Sequence, residues 1–155
     1  MARGRERPTH RGWSAVGWFG LLLAAIGFAD LSLYLIPPNF GVAEWEFATL
    51  TAVFSALPLS TIGIAGMVGA LLVNQTRTWL MVMAVALLLL AAAVGAGYLI
   101  FLLNLPLALD AAAGPQGPAI YRSIARATIM AGGFGFAYLA AGITLLRTLP
   151  ERASS

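Results

Sequence analysis

The chain has 155 residues, 60% of them hydrophobic and 10% charged, against about 25% charged in an ordinary soluble domain, so a water-soluble fold could not cover it with polar surface. Its formal charge of +3 raises nucleic acid as a partner, but the arginines sit at segment ends rather than in a basic patch interleaved with aromatics, and no nucleic-acid partner is expected. There is no cysteine, which removes thiol redox chemistry and thiolate metal sites, and the one histidine, His10, lies in the polar N-terminal tail, which removes a bis-histidine haem or a His-ligated metal inside a bundle.

The expected fold is an all-α integral membrane protein, a bundle of four transmembrane helices with both termini inside. Length allows one such bundle and no second module. Residues 1–12 form a basic tail carrying Arg3, Arg5, Arg7 and Arg11. The first span follows at 13–36, 24 residues long, about 36 Å as a helix against a hydrocarbon core of roughly 30 Å. Its basic start and the run Gly27-Phe28-Ala29 also fit a cleaved signal peptide; the segment is read here as a retained span.

Pro37 and Pro38 stop the first helix, and a loop leads into the second span at 47–73. Pro58 lies inside it and cannot donate to the carbonyl of Phe54, which predicts a kink with Ser55, Ser60 or Thr61 taking up the freed carbonyl. The polar link from Asn74 to Arg77 is short enough to make the second and third helices antiparallel neighbours. The third span covers 78–103 and continues past Pro106 as a bent extension ending near Gly114. Gly114-Pro115-Gln116-Gly117-Pro118 breaks the chain. The fourth helix starts near Pro118, a residue suited to a first helical position, with its span at 120–147 and a polar tail at 148–155.

Orientation follows from the arginines in the short flanks. Arg3, Arg5, Arg7, Arg11, Arg77, Arg147 and Arg152 fall on one side, Arg122 and Arg126 on the other, which puts both ends in the cytoplasm. Trp13, Trp18 and Trp79 mark the inner boundary, and Tyr34, Trp45 and Tyr121 the outer one. All nine basic residues are arginine, which fits GC-rich codon usage and points to a bacterial inner membrane.

Lipid tails are as apolar as leucine, so the helices must associate through close backbone packing or polar contacts. Small residues four apart supply the first: Ala65 with Gly69 and Gly66 with Ala70; Ala91 with Gly95 and Ala93 with Gly97; Ala131 with Gly135 and Gly133 with Ala137. Packing within the bundle is the plain reading of these faces; a groove for a partner helix or a pigment is the functional one. Gly132-Gly133-Phe134-Gly135-Phe136 is denser than packing requires, and could bend the helix or admit a ligand ring.

Asp30 is the one carboxylate within a membrane run, and such a group needs a partner. Depth counting places Ser55 and Tyr98 in its layer and Arg126 a turn shallower, so Asp30, Ser55, Tyr98 and Arg126 are expected as structural polar contacts. A proton relay has no ionisable side chains deeper in the bundle to run on. Arg122 and Arg126, four apart, share a face and are expected to pair with Glu44, Glu46 or Asp110, or to hold a lipid phosphate. Glu44, Trp45, Glu46 and Arg122 are the candidate partner or lipid contacts, with the two acids also favourable at a helix N-terminus. No catalytic motif, metal set or phosphate-cradling loop is present in the sequence, and no cofactor is expected. The expected function is a non-catalytic accessory subunit of a larger membrane complex, such as a respiratory or photosynthetic assembly, with the bilayer and other subunits as partners. The alternative is a small oligomeric transporter or sensor with a site near Asp30, Tyr98 and Arg126.

Overall fold

A computed structural model of the chain describes residues 9–36, 38–74, 77–114 and 117–151. Among them the secondary structure is helical throughout: α1 (Thr9–Leu33), α2 (Ala43–Asn74), α3 (Arg77–Leu103), the short α4 (Leu105–Ala111) and α5 (Gly117–Glu151). Four of these, all but α4, are long and apolar enough to cross a membrane. With no water in a bilayer core, a helix satisfies its backbone internally, which is why such apolar runs take this form.

The boundaries have local causes. α1 ends at Leu33, three residues earlier than its apolar run, and the N–H groups of Leu35 and Ile36 turn back to the carbonyls of Ser32 and Leu33. Ile36 precedes a proline, which disfavours helical backbone there. Asp30 therefore sits in the last turn of α1, close to its end. Gly41, with φ of 88°, supplies the left-handed residue that swings the loop into α2. α3 gives way to α4 at Asn104, because Pro106 cannot donate to the carbonyl of Leu102; Asn104 caps the new helix and Ala108 N–H donates to its carbonyl at 3.3 Å. The bent extension expected past Pro106 is this α4.

Two antiparallel seams hold the molecule together. α1 packs against α2 alone, α3 packs mainly against α5, and α2 joins the halves by touching both α3 and α5. The α2–α3 contact, despite the short link between these helices, is looser than either seam. α1 is thus a flank on a three-helix core, not one corner of a closed square.

The α1–α2 seam runs at backbone distance. On α1 the contact positions are Gly17, Gly20, Ala24 and Gly27; on α2 they are Ser60, Gly63, Met67 and Ala70. A side-chain carbon placed on Gly63 would lie 2.6 Å from the Gly20 carbonyl oxygen, one on Gly20 would lie 2.9 Å from the Met67 nitrogen, and one on Gly27 would lie 2.9 Å from the Ser60 nitrogen. Such closeness is how helices associate where burial from water provides no drive. The α3–α5 seam is filled mainly by side chains, Leu88 packing over Gly142 and Val94 over Gly135, although at Gly142 the Ala84 carbonyl oxygen also comes within 3.2 Å of where a side-chain carbon would sit; Ala84, Ala127, Ala131 and Tyr138 are buried along these helices.

Toward the α2 N-terminus and α3 C-terminus the core becomes aromatic. Phe47 and Tyr98 each stack on Phe101, at centroid distances of 5.1 and 6.1 Å, and Phe54 meets Phe101 edge-on at 6.2 Å. These offset and edge geometries suit the ring quadrupoles.

α2 runs unbroken through Pro58, and the hydroxyls near it do not take up the Phe54 carbonyl as expected. Thr51, Ser55 and Thr61 each donate to the carbonyl four residues earlier, those of Phe47, Thr51 and Leu57. The Ser60 hydroxyl is fully buried against α1 with no hydrogen-bond partner.

Candidate functional site

The residues expected to share a polar layer do not meet. Asp30 is half-exposed on α1, and α1 touches neither α3, which carries Tyr98, nor α5, which carries Arg126. Tyr98 belongs to the aromatic cluster, and Ser55 spends its hydroxyl on its own helix. Arg122 and Arg126 are exposed, as are Glu44 and Asp110, and no ion pair joins two described residues. The cause is topological: depth counting along the helices assigns a common level, but which helices are neighbours is decided by the small-residue seams.

Among the acids whose side chains are described, Glu46 is the one with hydrogen-bond partners. Its carboxylate accepts from the Gly41 backbone N–H at 2.8 Å and from Asn104 Nδ2 at 2.9 Å, while Asn104 also donates to the Ile100 carbonyl at 3.2 Å. One side chain therefore ties the α1–α2 loop to the α3–α4 junction. Trp45 sits edge-on to Phe40 at 5.3 Å, closing the same end.

A second polar contact, not anticipated from the sequence, lies mid-helix: the hydroxyls of Thr61 and Tyr138 bond to each other across α2 and α5. Among the described residues no group of three His, Cys, Asp or Glu side chains comes together to hold a metal ion.

What remains open is apolar. One recess of about 390 Å³ lies between α3 and α5, lined by Ala91, Gly95, Tyr98, Gly132, Gly135 and Phe136 among others. Its glycines differ in kind. Gly135 is used internally, against Val94, whereas a side chain on Gly95, Gly132 or Gly133 would meet nothing within 4 Å. A second opening lies on the other side of the molecule, between α1 and α3 with α2 as its floor. It consists of two cavities of about 380 and 540 Å³ that share Leu21, Met67, Met83 and Ala86 and so form one slot. Ser14, Trp18, Asn74 and Trp79 stand at one end; Phe28, Leu90 and Ala93 line the other.

Comparison with protein-family models, with curated proteins and with solved structures found no match. Function is therefore argued from these surfaces.

Proposed function

We propose that this chain is a non-catalytic subunit of a larger membrane protein complex, embedded in a bacterial inner membrane with both termini in the cytoplasm. The observation that carries the reading is the group of open glycines on α3 and α5. Glycine in a helix interior costs about 1 kcal/mol relative to alanine, and at Gly95, Gly132 and Gly133 a side-chain carbon would meet no described atom within 4 Å, so close packing among the described residues does not require glycine there. A neighbouring helix approaching at backbone distance is what such residues accommodate in a membrane. The α1–α2 seam shows the same chemistry used within the chain.

Two measurements test the reading. Reporter fusions after Asn74 and after Arg152 are expected to read cytoplasmic and one after Gly114 external; an external signal from the C-terminal fusion rejects the topology. A side-chain carbon at Gly132 or Gly133 meets no described atom within 4 Å, so isolated Gly132→Leu and Gly133→Leu variants should fold normally. After gentle solubilisation of native membranes they should lose the chains that co-purify with the parent. Variants that keep those chains, or a parent that elutes alone, reject the subunit reading. The transporter or sensor alternative needs Asp30, Tyr98 and Arg126 around one cavity, and within one chain they lie on helices that do not all touch.

A further inference from the structure

At the Glu46 end of the molecule a negative charge stands without a counter-charge. Glu46 is half-buried and accepts from the Gly41 N–H and from Asn104 Nδ2, but both donors are neutral. Arg122 and Arg126, the arginines toward this end, make no ion pair with it. A carboxylate offers about four acceptor positions, so two bonds leave it able to take more. A charge withdrawn from water is costly until an opposite charge meets it.

Beside this carboxylate lies a cavity of about 80 Å³, which differs from the two larger openings in having an acid in its lining. Leu35, Leu50 and Ile100 supply apolar walls, Phe40 and Trp45 aromatic ones, and Glu46 and Thr49 the oxygens. The two rings meet at 83° and so make a corner, not one flat wall. Thr49 is 7% exposed, and its hydroxyl bonds to no described residue. Thr51 and Thr61 on the same helix donate to the carbonyl four residues earlier, the usual use of a mid-helix threonine. The Thr49 hydroxyl is left to the cavity that it lines.

Size and lining together select the occupant. A dry cavity of about 150 Å³ takes benzene, with its six heavy atoms, so a volume near half of that takes about three. Calcium or magnesium needs about six oxygen ligands, and two side chains here carry oxygen. An ammonium group needs fewer: its N–H bonds suit a carboxylate and a hydroxyl, and ring faces attract a cation. A short alkyl chain on that nitrogen matches the leucine and isoleucine walls.

We propose that this cavity binds a primary ammonium group on a short alkyl chain, as in methylammonium or ethylammonium, with Glu46 balancing its charge, Thr49 accepting an N–H bond, and Phe40 and Trp45 walling it in. Binding here needs no partner subunit, so the purified full chain in mild non-ionic detergent is sufficient for the test. Trp13→Phe, Trp18→Phe and Trp79→Phe together leave Trp45 as the one tryptophan, and its fluorescence is followed as ethylammonium chloride replaces sodium chloride at constant ionic strength. Saturation is expected with a Kd of about 1 mM, near the limit for three heavy atoms, and calorimetry on the unsubstituted chain should give the same value. Glu46→Gln should weaken binding about tenfold or more, and Thr49→Val, which keeps the shape and removes the hydroxyl, about fivefold. Ethanol, of equal size but uncharged, and tetramethylammonium, larger and without an N–H, should each bind about tenfold more weakly than ethylammonium. Glu44→Gln removes an exposed neighbouring acid that does not line the cavity and should leave binding unchanged. No saturable response in the parent, ethanol binding as well as ethylammonium, or folded Glu46→Gln and Thr49→Val variants that both bind like the parent would overturn the proposal. So would Glu44→Gln weakening binding as much as Glu46→Gln, the mark of a diffuse attraction of cations to this end.

Discussion

The two seams solve one problem by opposite means. Between α1 and α2 the helices meet backbone to backbone, with Gly20, Ala24 and Gly27 facing Ser60 and Gly63; between α3 and α5 they meet through Leu88 and Val94 laid over Gly142 and Gly135. The difference lies in what can yield. A leucine can change rotamer at a cost of about 1 kcal/mol, whereas a carbonyl or amide of the facing helix can move only if the whole helix moves. The α1–α2 seam should therefore be brittle and the α3–α5 seam tolerant.

The sharpest way to break this comparison is at Gly63. Gly63→Leu forces its side chain into the Gly20 and Ala24 backbone, and should separate α1 from α2, with a loss of about 3 kcal/mol or more in denaturant unfolding of the purified chain. An engineered disulfide across the seam, formed in the parent and absent in the variant, would report the separation directly. Parent-like stability of Gly63→Leu would show that the helices are not in close contact. Next in size is Gly142→Ala, whose new methyl group would lie 2.9 Å from Leu88 Cγ and Cδ2. Leu88 can turn away, whereas the Ala84 carbonyl oxygen, 3.2 Å from the new methyl group, can give only a little, so about 1–2 kcal/mol is expected from the same measurement.

The bridge between the two halves should matter less. Tyr138→Phe removes its hydroxyl contact with Thr61, and hydrogen bonds between membrane helices average about 0.6 kcal/mol, because the separated helices find other partners. A loss above about 2 kcal/mol would mark this contact as the main tie between the halves. Smallest of all is Ser60→Ala. The Ser60 hydroxyl is buried without a partner, so its removal should leave stability unchanged or raise it by a few tenths of a kcal/mol. A clear loss would show that the hydroxyl bonds to α1 in the folded protein.

Much of this architecture is legible in the residues. The four long apolar helices, the bend after Leu103 and the break at Gly114 follow from hydropathy and from proline and glycine chemistry, while Pro37 lies outside the described residues and α1 stops at Leu33, short of its expected end. The α1–α2 seam was legible too, though by a different spacing from the four-residue pairs first apparent. Gly17, Gly20, Ala24 and Gly27 repeat at intervals of three, four and three, as do Ser60, Gly63, Met67 and Ala70, which is the period of two helices that stay in contact over several turns. A search for pairs four apart finds Gly20 and Ala24 only as an isolated match and passes over Gly63. Helix adjacency beyond that seam was not legible. Depth counting puts Asp30 and Tyr98 in one layer with Arg126 a turn shallower, but nothing in their own segments states that α1 lies against α2 alone. Glu46 was singled out for its place at a helix start; its partner Asn104 is 58 residues away, and no local pattern connects them.

The isolation of α1 on α2 has a consequence for the order in which the protein is made. Every contact in that seam pairs residues from the first half of the chain, so the hairpin of α1 and α2 can close while α5 is still unsynthesised. Loops that close over short sequence distances do so at low entropic cost. The Thr61 to Tyr138 contact spans 77 residues and must wait for α5. A chain halted after α3 should already show the glycine seam formed, with the Thr61 hydroxyl still lacking its distant partner.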